Sequence, residues 1–411
     1  MTRQAFRSRW PLCVLALAVA GPALAADVRF DPHVGLTTLY SDNYRLVTAS
    51  AAKQSVTTGF LDLSGTLSSR TQTTQFLLTP RGRFSRTSPD TGQNANDGFL
   101  NMSLQHTGLK SRSGITARYS HQNLFRLYAP NGELNYDLGA ISNTQFLRSI
   151  VGRNSQDLLE VNPTASWRLN ERAQLQSGLY YTDSSYKLRT SDYRDYRNTT
   201  GYIGVSFDLT RQDTLGVSVS GSQYKPAQTT ASNTYGLQLE WGRRISEVSR
   251  YYFRIGDERT RFGGVIPAGG KTSATSVSGG AGVSWVYQIT GLFIDATRNV
   301  YPNSVGTPLA QTELRMRIQR LLSPRASGWL SVSGQQTDRL GAATNADGGR
   351  FLLANVGMEW RFTQTWSLVP AVNLVQQRLN SNASSAHANE VVISVVYEPG
   401  RKAQGAAVRI Q

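Results

Sequence analysis

The residues able to do chemistry in this chain are charged groups that recur at alternate positions. Arg81, Arg83, Arg118, Arg168, Arg250, Arg254, Arg315, Arg317 and Arg361 share a parity with Gly, Ser, Thr and Gln, while the intervening positions are apolar. Asp62, Glu160, Asp208, Glu240, Asp295, Glu313 and Glu359 fall on that same parity. Opposite charges on one face of neighbouring strands can pair and stiffen a wall. If that face lines water, the same charges form a path whose small positive bias favours anions by focusing the field. A second group, Tyr186, Lys187, Arg189, Tyr193, Arg194, Tyr196 and Arg197, gathers cations and aromatic rings in one connector. Its bases suit anionic lipopolysaccharide, and its rings suit stacking on sugars.

Catalytic constellations are poorly represented. His33, His106, His121 and His387 show no metal-ligand spacing, so no metal is expected. No G-x-S-x-G elbow is present. The run from Gly264 to Thr272 resembles a phosphate loop. However, a Walker A loop needs four residues between its first Gly and the Gly-Lys pair, and Gly264 lies one residue too far from Gly270-Lys271. The chain is therefore read as a non-enzyme without cofactor, and no nucleic-acid partner is expected.

The elements that position these charges are strands. Ile203, Val205, Phe207 and Leu209 alternate with Tyr202, Gly204, Ser206 and Asp208. Leu237, Leu239 and Trp241 alternate with Gly236, Gln238 and Glu240, and Val356, Met358 and Trp360 with Gly357, Glu359 and Arg361. This period of two argues strands with one apolar face. Connectors between segments are short and long in turn: short at 69–72, 169–172, 210–212 and 363–365, long at 87–97, 126–156, 187–198, 261–273 and 340–349. A soluble sandwich has no reason to keep its short turns at one end, whereas an outer-membrane barrel does. The slightly negative mean hydropathy, −0.34, is compatible with this reading, because averaging cancels the apolar face against the polar one.

The expected fold is an all-β, transmembrane antiparallel up-and-down barrel of about eighteen strands, with short periplasmic turns and longer outer loops. Sixteen strands remain open if 28–40 or a weak segment near Pro302 is not a strand. Trp167, Trp241, Trp285 and Trp360 end strands before short connectors, and Trp366 begins one. All five share the apolar parity, as an interfacial aromatic girdle requires. Trp329 falls on the opposite parity.

The first residues read as a secretory signal. Arg3, Arg7 and Arg9 precede an apolar stretch from Pro11 to Ala20, and Ala23-Leu24-Ala25 offers a cleavage site. Residues 1–25 are therefore assigned to the signal, 26–398 to the barrel and 399–411 to a basic tail. The single cysteine, Cys13, lies within the signal, which leaves no disulfide framework. The formal charge of +16 includes three arginines that leave with it. Val391, Ile393, Val395 and Tyr397 make a closing strand, but the tail places Tyr397 inside the chain rather than at its end.

The segment Tyr40-Ser41-Asp42-Asn43-Tyr44-Arg45-Leu46 resembles the outer-membrane β-barrel proteins of exopolysaccharide-biosynthesis clusters (EpsL-like). Those proteins open with an extended segment ending in an Asp-Asn, aromatic and Arg-Leu pattern, which Asp42, Asn43 and Arg45 match. The resemblance implies a conduit or accessory protein for an exopolysaccharide, with the polymer and its export machinery as partners. Outer-membrane lipid, lipopolysaccharide and the barrel-assembly machinery are partners under any barrel reading. The alternative function is a diffusion porin for small solutes, anions among them. The expected location is the Gram-negative outer membrane.

Overall fold

The computed structural model describes residues 27–44, 46, 53–89, 94–123, 154–189, 193–227, 229, 231–263, 272–302, 308–340, 348–379 and 385–399. Among these, every regular element is a strand. The first six are β1 (Asp27–Ser41), β2 (Val56–Arg70), β3 (Thr74–Ser88), β4 (Ala95–Thr107), β5 (Ser111–Asn123) and β6 (Ser155–Arg168). Next come β7 (Ala173–Tyr186), β8 (Tyr196–Asp208), β9 (Asp213–Pro226), β10 (Ser232–Ser246), β11 (Ser249–Phe262) and β12 (Ser273–Tyr287). The last six are β13 (Thr290–Tyr301), β14 (Leu309–Ser323), β15 (Ala326–Arg339), β16 (Gly349–Arg361), β17 (Trp366–Leu379) and β18 (Ala386–Tyr397).

They form one antiparallel sheet of 18 strands, each paired with its sequence neighbours. The sheet closes where β1 meets β18, from Val34 opposite Tyr397 to Ser41 opposite Glu390. Closure removes both sheet edges, as a bilayer demands. The segment left open as a strand, 28–40, is the core of β1, and the segment near Pro302 is the end of β13, so the count is eighteen rather than sixteen. Tyr397 ends the closing strand and packs on Trp366 at 4.8 Å between ring centroids.

The short connectors, 71–73, 108–110, 169–172, 209–212, 247–248, 288–289, 324–325 and 362–365, all lie at one end of the barrel. Side chains close several of them. Asn170 Oδ1 accepts from the N–H groups of Arg172 and Ala173 at 2.9 and 2.8 Å, and Thr210 Oγ1 accepts from Gln212 and Asp213 at 3.1 and 2.9 Å. These are Asx- and Thr-type turns, in which a side chain replaces a missing backbone partner.

Stepping from strand to strand through the paired positions and back to β1 accumulates a stagger of roughly 22 residues. With about 3.3 Å per residue and about 4.8 Å between strands, the strands tilt by about 40° and the backbone wall has a radius of about 18 Å.

The register fixes which side chains face out. Val217, Leu239 and Ile255 form one outward row across β9, β10 and β11 and are 39%, 48% and 48% exposed on the barrel surface. The five predicted girdle residues, Trp167, Trp241, Trp285, Trp360 and Trp366, face outward near the short-turn end and are exposed. Tyr40, Phe84, Tyr119 and Tyr235 are exposed toward the other end, a second aromatic belt that the sequence reading left out.

Candidate functional site

The lumen face is built from the other parity, and the pairings place every predicted lumen residue there. Asp62 on β2 lies opposite Arg83 on β3, with Arg81 two residues away on the same face. Arg81 donates to Asp62 Oδ1 from Nη2 at 2.7 Å and Nε at 2.9 Å, and Arg83 Nε donates to the same oxygen at 3.1 Å. All three side chains are nearly buried, and Arg83 and Arg81 also lie over the rings of Phe60 and Phe99 at 5.7 and 5.4 Å. A carboxylate shared by two guanidiniums is a strong charge-assisted contact.

Two further clusters repeat the theme. Arg118 on β5 faces Glu160 on β6, Nη1 to Oε2 at 3.8 Å, and Glu160 also accepts a hydrogen bond from the Tyr180 hydroxyl. Arg315 on β14 donates to Asp295 on β13 at 2.6 Å, with Glu313 at 3.9 Å, and Tyr252 on β11 donates its hydroxyl to Asp295. Tyr252 reaches Asp295 by lying across Gly282 of β12, where any Cβ would collide with its ring. Glu359 pairs with Arg361 at 3.2 Å, and Arg317 donates to Gln319 at 2.9 Å. Glu240 stands opposite Arg254. Arg168, Asp208 and Arg250 are exposed near the short-turn end.

The structure brings more carboxylates to this face than the sequence reading assigned: Asp31, Asp97, Glu258 and Glu390. Above the level of the short turns, acids on the described lumen face therefore outnumber arginines. The positive excess sits at the short-turn rim, where Arg29, Arg70, Arg112, Arg168, Arg244, Arg250 and Arg361 face Asp27, Asp208 and Glu359. The positive path expected along the whole lumen is thus confined to one mouth.

A polar ladder crosses the wall beside the closing seam. Trp329 Nε1 donates to Asn355 Oδ1 at 2.5 Å, Asn355 Nδ2 to Asn373 Oδ1 at 2.5 Å, and Asn373 Nδ2 to Glu390 Oε2 at 3.0 Å. These residues step through β15, β16, β17 and β18, and Ser41 of β1 lies opposite Glu390. The Trp329 indole lies over Gly357, the residue directly across from it. Around this ladder the lumen face is packed rather than wet. Leu39, Phe60 and Val392 form one buried cluster, and Trp329, Val369 and Val396 another. The uniformly polar interior expected from the sequence is therefore corrected: inward apolar residues of β1, β2 and β15–β18 bury one another.

The aromatic and basic connector is also corrected. Tyr186 ends β7 and Tyr196 begins β8, so the connector is 187–195, not 187–198. Both tyrosines face inward and are buried with Tyr224 of β9; Tyr196 lies 5.7 Å from Tyr224 and Tyr186 5.5 Å from Tyr193. Gln156 of β6 donates to Ser184 Oγ at 2.9 Å and Tyr186 Oη at 3.2 Å. Tyr186 and Tyr196, buried in this cluster, offer no free face for stacking on a sugar, whereas Tyr193 stays half-exposed. Arg189 pairs with Asp195 at 2.7 Å and Arg197 with Asp183 at 3.2 Å, while Lys187 is exposed and Arg194 half-exposed. Of the long segment 126–156, Ser155 and Gln156 belong to the wall and Asn154 precedes it; 124–153 lie outside the described residues, as do 264–271, most of the basic tail and the signal.

No protein-family model matches the chain, and no match is found among curated proteins. Among solved structures, it is similar to a BenF-like porin from Pseudomonas fluorescens Pf-5, with 9% identity, TM-score 0.49 and coverage of 90% of this chain and 99% of that one. It is also similar to OccK2 (OpdF) of Pseudomonas aeruginosa, at 12% identity and TM-score 0.48, covering 90% of this chain and 98% of the other. A third is OprD of Pseudomonas aeruginosa, at 11% identity and TM-score 0.44, covering 90% and 94%. At such identities the likeness concerns the barrel fold and goes no further.

The matched structures are porins, so the expected membership of the EpsL-like group and its export role are withdrawn. The motif that carried the resemblance has a local structural use. Asp42 accepts from Asn389 N at 2.8 Å and Asn389 Nδ2 at 2.7 Å, and Asn43 Nδ2 donates to the His387 carbonyl at 2.8 Å. These bonds tie the end of β1 to β18, while Arg45 lies outside the described residues. A closed barrel with an apolar outer face resides in the Gram-negative outer membrane, in contact with its lipid, where barrels of this kind keep their short turns on the periplasmic side.

Proposed function

We propose that the protein is a diffusion porin for small polar solutes, weakly favouring anions and carrying no catalytic role. One observation supports this reading above the others. A ring of eighteen strands carries charges on its inner face, mostly opposed to one another, with the positive excess at the periplasmic mouth. Barrels of this strand number are wide enough to leave an aqueous channel. Opposed charges hold a wall in shape without trapping a passing ion, while the arginine rim raises the local concentration of anions. In this reading the mature chain starts at Ala26, and Lys187 and Arg194 of the outer connector meet lipopolysaccharide phosphates.

The purified barrel in a planar bilayer should give stepwise conductance in KCl. Under a salt gradient, its reversal potential should show modest anion preference. A folded, inserted barrel that gives no steps would refute the channel reading, and a cation-selective reversal potential would refute the role of the rim.

A further inference from the structure

We infer that the lumen-facing wall of β13–β15, near its long-loop ends, holds a neutral, hydroxyl-bearing solute of the sugar or polyol class. Asn299 on β13, Gln311 on β14 and Thr337 on β15 form one lumen-facing row near the long-loop ends, Gln311 lying directly between the other two. Gln311 is 1% exposed and Thr337 0%. Among the described residues, neither Nε2 nor Oε1 of Gln311 has a hydrogen-bond partner, nor does Oγ1 of Thr337. In the next row down, Nε2 of Gln335 is also unmatched. Buried polar atoms are almost always hydrogen-bonded, so four unmatched atoms in two adjoining rows need an explanation.

The donor set identifies the class of ligand. An amide brings one donor group and one acceptor, and a hydroxyl can act as either. Vicinal hydroxyls of a sugar, which donate and accept together, complement that set. No cation lies in the Asn299–Gln311–Thr337 row, and Glu313 stands opposite Gln335, so a carboxylate or phosphate would meet repulsion rather than a partner. Glu313 itself is engaged by Arg315 at 3.9 Å, which argues against a cationic ligand. Phe351 follows Gln335 in the lower row, but its ring is buried against Val375, Ala386 and Ala388, so recognition rests on the polar atoms alone. This site would serve the channel proposed above by holding solute at its outer mouth, and its occupancy is measured separately from conductance.

The test is saturation-transfer NMR with methyl α-glucoside on the folded barrel in detergent micelles. Transfer to the glucoside is expected for the wild type. It should fall several-fold in the double variant Gln311→Leu/Thr337→Val and stay unchanged in Gln238→Leu on the wall at β10. Replacing the unmatched groups by apolar ones should not harm folding. Heat-dependent gel mobility verifies that, and the near-isosteric Thr337→Val alone is the second variant. No transfer in the wild type, or equal transfer in the double variant, would overturn the site and leave ordinary buried water as the partner of these atoms. Glucoside binding without conductance would sink the channel and spare the site, whereas conductance without glucoside binding would do the reverse.

Discussion

Leu239 and Gln238 are neighbours in β10 on opposite faces of the wall, so one substitution tests the register of the barrel. Leu239 is outward, flanked by Val217 and Ile255, with Trp241 two positions toward the periplasm and Tyr235 toward the outside. That row is near the middle of the apolar face. Arginine there loses its hydration, a cost of about 2–4 kcal/mol near the bilayer midplane. At about 1.4 kcal/mol per tenfold, this is a shift of roughly 30- to 1000-fold in the folding equilibrium. Gln238 is inward, flanked by Ser218 and Gly256, small residues that leave room for a hydrated guanidinium. Gln238→Arg should therefore cost less than about 0.5 kcal/mol, as surface substitutions do. The assay is folding into liposomes, followed as heat-modifiable barrel across a urea titration. Comparable loss in both variants would refute the assigned faces, and a larger loss for Gln238→Arg would invert them.

Asp62→Ala removes the carboxylate that Arg81 and Arg83 share and should cost about 3 kcal/mol, read as a lower urea midpoint. Asn373→Leu interrupts the ladder between Asn355 and Glu390 and should cost about 1–3 kcal/mol; the double variant with Glu390→Leu should lose less than the sum of the two, as a double-mutant cycle will show. Substituting Gln for Arg168, Arg250 and Arg361 together should move the reversal potential toward cation selectivity without altering heat-modifiability, because all three stand at the periplasmic rim.

Much of this architecture was legible because strand alternation is a local property. Ile203, Val205 and Phe207 announce an apolar face without reference to any other strand, and the tryptophans before the short turns announce its lower edge. What was not legible depends on partners far along the chain. The ladder from Trp329 to Glu390 needs the registers of β15–β18 to be known together. Tyr186 and Tyr196 read as loop residues because their neighbours are polar; pairing with β6, β7 and β9 and packing beside Tyr224 make them wall. Glu390 escaped notice among apolar residues of β18, where alternation suggests an inward position but says nothing of its burial. The Asp42-Asn43 pair invited a family reading, although its hydrogen bonds serve the seam between β1 and β18.

The stagger of the ring has a consequence for how its width is inherited. In an open sheet, any pair of strands can slip without consulting the others. Here the slips around the circle must cancel, or the whole cylinder changes shape. A slip of two residues at one interface would keep every side chain on its own face, and so would escape the usual penalty for a wrong register. It would raise the total to about 24, steepen the tilt to about 43° and widen the tube by about 4%. No single residue encodes the diameter. It is a sum over eighteen interfaces, held by the weakest of them, and a substitution in one hairpin can alter the passage on the far side of the barrel without touching it.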